Sequence, residues 1–234
     1  MRKIFGIMFV ALFLVACTKN NTTTLNDTFI NKQHETTLSF EGTLDLSHKQ
    51  INKMLRDSII ATSFGNDFKK NSNKKVLKKY AKASLKTFIE TTDSVLTGMS
   101  LYTKIEGKVV YADDHHITFR RIMTTNTAGD GVGLMSTCNY YVFDAKTGCH
   151  LQEKDIFSPQ QINTMRNLLV ERAKELAAQN EIELNLSRVR PNGNFAIMDS
   201  SIIYTFNPYE IARPEIGFLD IVLIDKEKLL YIEP

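Results

Sequence analysis

Asp113-Asp114-His115-His116 is the string most able to hold a metal ion, since carboxylates and imidazoles are both common ligands. Ligands must converge on one point, however, and successive residues of an extended chain point to opposite faces. A hairpin tip also collects Asp for its own turn chemistry. The string is therefore expected to be a turn, and no metal is assigned to it. Gly129-Asp130-Gly131-Val132-Gly133 looks like a phosphate cradle but lacks the Lys-Ser/Thr of a P-loop and the glycine spacing of a dinucleotide fingerprint. It reads as a loop between strands. No nucleophile elbow, helical His-Glu-x-x-His or Cys-x-x-Cys occurs, so no catalytic residue and no cofactor is assigned. His34, His48 and His150 stand isolated. The one enzymatic alternative is an envelope hydrolase whose site is assembled from distant residues, with His150, His116 and Glu210 as its candidates.

Cys17 has the clearest chemistry. Arg2 and Lys3 precede an apolar run from Ile4 to Val15 that is too short to span a bilayer, which takes about 20 apolar residues. The run ends in Leu14-Val15-Ala16-Cys17, the lipobox pattern cut by the lipoprotein signal peptidase. Residues 1–16 are read as a signal peptide and Cys17 as the lipidated first residue of the mature chain. A diacylglyceryl thioether and an N-acyl chain together give the stable anchor that one acyl chain does not. The expected membrane partner is thus the lipid on Cys17. Thr18 follows it where an Asp would signal inner-membrane retention, so the expected location is the outer membrane, facing the periplasm.

Lys69, Lys70, Lys74, Lys75, Lys78, Lys79, Lys82 and Lys86 are crowded into one stretch. They offer a patch for anionic headgroups, acidic glycan or a protein partner, against the alternative of an ordinary solvated helix face. The whole chain carries 29 Lys+Arg against 26 Asp+Glu, a net charge of +3, which gives no case for nucleic-acid binding.

The elements that position these groups follow from periodicity. Residues 17–36, rich in Thr and Asn, read as a flexible stalk, and 37–125 as an N-terminal α+β region. Leu38 to Leu46 is a plausible first strand. Ser47 is expected to cap a helix from His48 to Thr62 that buries Ile51, Met54, Leu55, Ile59 and Ile60. A second helix, Asn73 to Leu96, places Leu77, Ala81, Leu85, Phe88 and Val95 along one stripe. Leu101–Ala112 and Ile117–Asn126 form a hairpin, and Ser136–Asp144 with Cys149–Glu153 a second. The second hairpin keeps Cys138 and Cys149 apart, so both thiols are expected to be free. Ser158-Pro159-x-Gln161 opens a helix to about Asn180 that buries Ile162, Met165, Leu169, Ala173 and Leu176. Three strands, near 195–198, 202–206 and 217–224, follow. Strands and helices are segregated, which predicts an α+β fold with a largely antiparallel mixed sheet flanked by about three helices.

The last forty residues carry a distinctive string. Asn207-Pro208 breaks a strand, and Tyr209 and Ile211 are expected to tuck beneath the sheet. The run Tyr204-x-Phe206-Asn207-Pro208-Tyr209-Glu210-Ile211-Ala212, followed by Gly217, resembles the signature of the RsiV-like C-terminal domain, domain-of-unknown-function family 3298. Asn139-Tyr140-x-x-Phe143-Asp144-x-x-Thr147-Gly148 and Asp155-Ile156-Phe157 are similar to that family's hairpin and pre-helix segment. The resemblance covers 126–234, and 37–125 is more weakly similar to the companion unknown-function family 4163. The Gly-Gly-Ala-His string that relatives often carry between the hairpins is Gly129-Asp130-Gly131-Val132 here, so its His is not available. The resemblance implies a non-catalytic envelope module whose partner is a protein such as lysozyme, or peptidoglycan. The expectation is a lipid-anchored binding module with no cytoplasmic output of its own.

Overall fold

A computed structural model describes residues 22–31, 35–91, 99–127 and 134–224. The signal peptide, Cys17, His34, Val95 and the Gly129–Gly133 loop lie outside the described residues.

The fold is α+β, built on a six-stranded sheet in the order β1-β2-β3-β4-β5-β6. β1 (Thr22–Asn31), β2 (Thr36–Asp45), β3 (Ser100–Ala112), β4 (His116–Thr127), β5 (Met135–Asp144) and the two-residue β6 (His150–Leu151) are antiparallel except where β2 meets β3. That parallel pair needs a crossover, and α1 (Lys53–Phe64) and α2 (Asn73–Thr91) supply it.

The reading of 17–36 as a flexible stalk is corrected by β1, whose ten residues pair with β2 throughout. The stretch has little to bury, but Leu25 and Phe29, 7% and 8% exposed, are enough to seat an edge strand whose other side chains face solvent. The boundary read at 125/126 falls inside β4, whose two neighbours β3 and β5 belong to the same continuous sheet.

α1 starts later than the Ser47 cap predicts. Ser47 instead hydroxyl-bonds Asp45 at 2.6 Å, and Asn52 caps the helix by accepting from the Leu55 N–H at 3.0 Å. Leu55, Ile59 and Ile60 are buried as expected, while Met54 is 43% exposed. Gly65, at φ +118°, ends the helix where a side chain would be strained. α2 buries Leu77, Ala81 and Leu85 over the β1–β2 side of the sheet. Leu77 of α2 packs over Gly42, where an added Cβ would meet the Phe40 ring at 2.7 Å and Leu77 at 3.0 Å.

Alternation in the strands sorts two cores. Ile117, Phe119 and Phe143 face α1 and α2. Cys138, Tyr140 and Ile122 face the other way, against Ala196 and Ile203 of a second sheet. That sheet is β7 (Phe195–Ile197), β8 (Ser201–Phe206) and β9 (Leu219–Ile224), all antiparallel. Its far side is covered by α4 (Pro159–Asn180), reached through the one-turn α3 (Glu153–Ile156). The capping box of α4 is as read: Ser158 Oγ accepts from the Gln161 N–H at 3.3 Å, and Gln161 Oε1 accepts from the Ser158 N–H at 2.6 Å. Met165, Leu169 and Ala173 are buried, whereas Ile162 and Leu176 are half-buried.

Candidate functional site

The string Phe206-Asn207-Pro208-Tyr209-Glu210-Ile211-Ala212 leaves β8 and makes a reverse turn at the end of the second sheet. Asn207 C=O accepts from the Glu210 N–H at 3.1 Å, and the Glu210 carboxylate accepts from the Asn207 N–H at 3.1 Å. The turn is thus closed from both ends. Pro208 sits at the second position, where its fixed φ is suitable, and Tyr209 at the third has φ +70°. A type II turn places glycine at that third position; a tyrosine there is strained, at a cost of about 1–3 kcal/mol. Its ring does not repay the strain by packing. Tyr209 is 59% exposed, which corrects the expectation that it tucks beneath the sheet, while Ile211 is buried as predicted.

The turn forms one wall of an open cleft of about 490 Å³, and residues 183–188 form the other. Asn185 N–H donates to Ile211 C=O at 2.7 Å, Arg188 donates to Tyr209 C=O at 3.3 Å, and Arg213 pairs with Glu183 at 3.4 Å. Tyr209, Glu210, Arg188 and Arg213 line this cleft together. An aromatic face beside two guanidiniums and a carboxylate can stack on a sugar or an apolar side chain while pairing with charged groups. Gly217, at φ +78°, ends the following one-turn helix (Pro214–Ile216).

Asn207 has a second role that sequence reasoning missed. β6 covers only the Val142–Phe143 end of β5's outer edge, leaving the backbone groups of Cys138 and Tyr140 to other partners. Asn207 Oδ1 accepts from the Cys138 N–H at 2.8 Å. Asn194 Oδ1 accepts from the Tyr140 N–H at 2.8 Å, and Asn194 Nδ2 donates to Cys138 C=O at 2.8 Å and to Thr205 C=O at 3.1 Å. Two side-chain amides replace a missing strand and latch the small sheet to the large one. Asn192-Gly193-Asn194 reads in sequence only as a turn. Nothing in it announces a partner 54 residues upstream.

The groups proposed for a dispersed hydrolytic site have separate surroundings. The Asp113 carboxylate accepts from the N–H groups of His115 and His116, at 2.8 and 2.6 Å, so the Asp-Asp-His-His string is a turn. Burial works against ionisation of Asp113, but the bonds from Tyr111 and those two N–H groups outweigh it and hold its carboxyl below the usual range. His150 lies against the rings of Tyr141 and Phe143, and burial lowers its pKa. Glu210 closes its own turn and also accepts from Asn192 Nδ2 at 3.2 Å. Neither His116 nor His150 lines the Glu210 cleft. Among the described residues no group of three His, Cys, Asp or Glu is placed to hold a metal ion. Cys138 and Cys149 are both free, the first buried and the second exposed. Burial and the nearby Asp220 push the Cys138 thiol up to about 12. Lys74, Lys75, Lys78, Lys79, Lys82 and Lys86 are all exposed along α2, on the opposite side of the large sheet from the motif.

Known proteins match the turn, the latch and the helix beneath them. Residues 154–223 fit the profile of the family described as "Protein of unknown function (DUF3298)". This stretch is a DUF3298 domain. A crystal structure of a DUF3298 family member from Bacteroides fragilis has the same fold, with a TM-score of 0.64 and 18% identity over 90% of this chain and 94% of that one. A DUF3298 family protein from Pseudomonas aeruginosa aligns with a TM-score of 0.57 and 12% identity over 92% of this chain and 95% of that one. No curated protein matches the sequence. The DUF3298 domain contains Asn194, Asn207 and the Tyr209 turn, whereas the β5 edge they hold lies outside the matched residues. No helix among the described residues is long and apolar enough to cross a membrane.

Proposed function

We propose that the mature chain is a lipid-anchored cell-envelope binding module, RsiV-like at its C-terminal end and similar to family 4163 before it. In this reading Cys17 bears the lipid, the outer membrane holds it, and the DUF3298 domain engages peptidoglycan or a protein such as lysozyme. The observation that carries the reading is Tyr209: a strained, exposed aromatic side chain at the mouth of a cleft with charges of both signs. Backbone strain at an exposed side chain that gains nothing from packing is a mark of a residue placed for a ligand. The open cleft and the separate surroundings of His116, His150 and Glu210 favour binding over hydrolysis.

Retention of residues 18–234 on purified peptidoglycan, and on immobilised lysozyme, tests the reading. Tyr209→Gly is the decisive variant. Glycine suits the third turn position, so thermal stability is expected to rise or hold while retention falls several-fold. No retention on either material, or full retention by Tyr209→Gly, refutes the proposed site. Metabolic incorporation of labelled palmitate, abolished in Cys17→Ser, tests the anchor independently.

A further inference from the structure

The lysines of α2 run against what helix stability alone selects. A helix carries partial positive charge at its N-terminal end and partial negative charge at its C-terminal end. α2 nevertheless opens on Asn73-Lys74-Lys75 with no acidic residue in its first turn, and it has no basic residue in its last. Lys75, Lys79, Lys82 and Lys86 repeat at helical spacing on the side opposite Leu77, Ala81 and Leu85, and all four are exposed. They form a straight cationic row about 16 Å long. At the start of α2 the row meets further cations. Lys53 and Arg56 of α1, with Lys70 and Lys74, line one open depression of about 580 Å³.

That depression is also lined by Thr23, the second residue of β1. β1 runs beside α2 in the same direction, so Phe29 and Ile30 lie against Lys82 and Lys86 further along. Only four residues lie between Cys17 and Thr22, and even fully extended the five steps from one to the other reach about 18 Å. A lipid on Cys17 therefore holds the cationic row near the headgroups.

We propose that the lysine face of α2 lies on the anionic phospholipid headgroups of the leaflet that holds the anchor. The orientation rests on the lipidation of Cys17 proposed above; the affinity of the lysine row for anionic lipid does not. Charge complementarity selects an anionic surface, and the nearby anchor selects lipid over glycan or protein. The second sheet packs on the opposite face of the large sheet from α2, so this docking turns the DUF3298 domain away from the bilayer.

Residues 18–234 retain every described strand and helix and carry no lipid, so they test the surface alone. Cosedimentation is measured with vesicles of phosphatidylglycerol and phosphatidylcholine, and with phosphatidylcholine only. Binding is expected to the anionic vesicles alone and to fall as salt rises. Replacing Lys75, Lys79, Lys82 and Lys86 together by Gln is expected to weaken it by about a hundredfold or more, since each basic residue near an anionic surface contributes about fivefold and four such factors multiply to roughly several hundred. The melting temperature should hold, and Lys154→Gln with Lys174→Gln, remote on α3 and α4, should bind as the parent does. Equal binding to both vesicles, undiminished binding by the fourfold variant, or lysine-dependent retention on peptidoglycan without vesicle binding would overturn the proposal. No palmitate labelling of the unsubstituted full chain, with vesicle binding of residues 18–234 intact, supports the lysine face and overturns the anchor instead.

Discussion

Asn194→Ala isolates the latch between the two sheets. The substitution removes the acceptor of the Tyr140 N–H and the donor to Cys138 C=O, both at 2.8 Å. Thr205 C=O keeps its bond from Asn192 Nδ2 at 2.9 Å, so two backbone groups are orphaned rather than three. Each unsatisfied group costs about 1–3 kcal/mol according to burial, and Asn194 is half-buried, which puts the total near 2–4 kcal/mol. Urea unfolding should show a lower midpoint with an unchanged slope, because the surface exposed on unfolding is the same. Native-state hydrogen exchange should show faster exchange at the Tyr140 amide, with the β3–β4 ladder unaffected. Asn207→Ala frees the neighbouring Cys138 N–H, and the two substitutions share one edge, so the double variant should depart from additivity by about 0.5 kcal/mol or more. A loss below about 0.5 kcal/mol for Asn194→Ala, with Tyr140 protection unchanged, would refute the idea that amide side chains stand in for a strand.

Three further outcomes are expected. In residues 18–234 at mildly alkaline pH, iodoacetamide should label Cys149 in the native protein and Cys138 only after unfolding, since burial keeps the Cys138 thiol protonated up to about 12. Gly42→Ala should lower stability by about 1–3 kcal/mol in a denaturant titration, because its Cβ has to displace the Phe40 ring and Leu77 inside a filled core. Backbone and side-chain bonds from Thr147, and the Lys146 N–H, hold the Asp144 carboxyl below its ordinary value. A carboxyl lowered on folding stabilises above its unfolded pKa and loses that contribution as pH falls through the folded one. The urea-midpoint difference between the parent and Asp144→Asn should therefore shrink below about pH 4.

Much of the fold is legible where the signal is local. The capping box at Ser158, the helical stripe Leu77–Ala81–Leu85 and the Asp113 turn each depend on residues no more than four positions from the next, and each is where the sequence places it. Met54 and β1 show the limit of that logic. A stripe identifies a helix but not its first turn, and two apolar side chains in a Thr/Asn-rich stretch register as a strand only when a neighbouring sheet edge is present to receive them. The site divides in the same way. Pro208 and the Asn207–Glu210 closure are local turn chemistry that the residues themselves specify. The exposure of Tyr209, the pairing of Asn194 with Tyr140 and the alignment of β1 with the lysine face of α2 depend on segments brought together from far along the chain. Hydrogen bonds and burial at that range are properties of the packed sheets, which is why only the tertiary structure decides them.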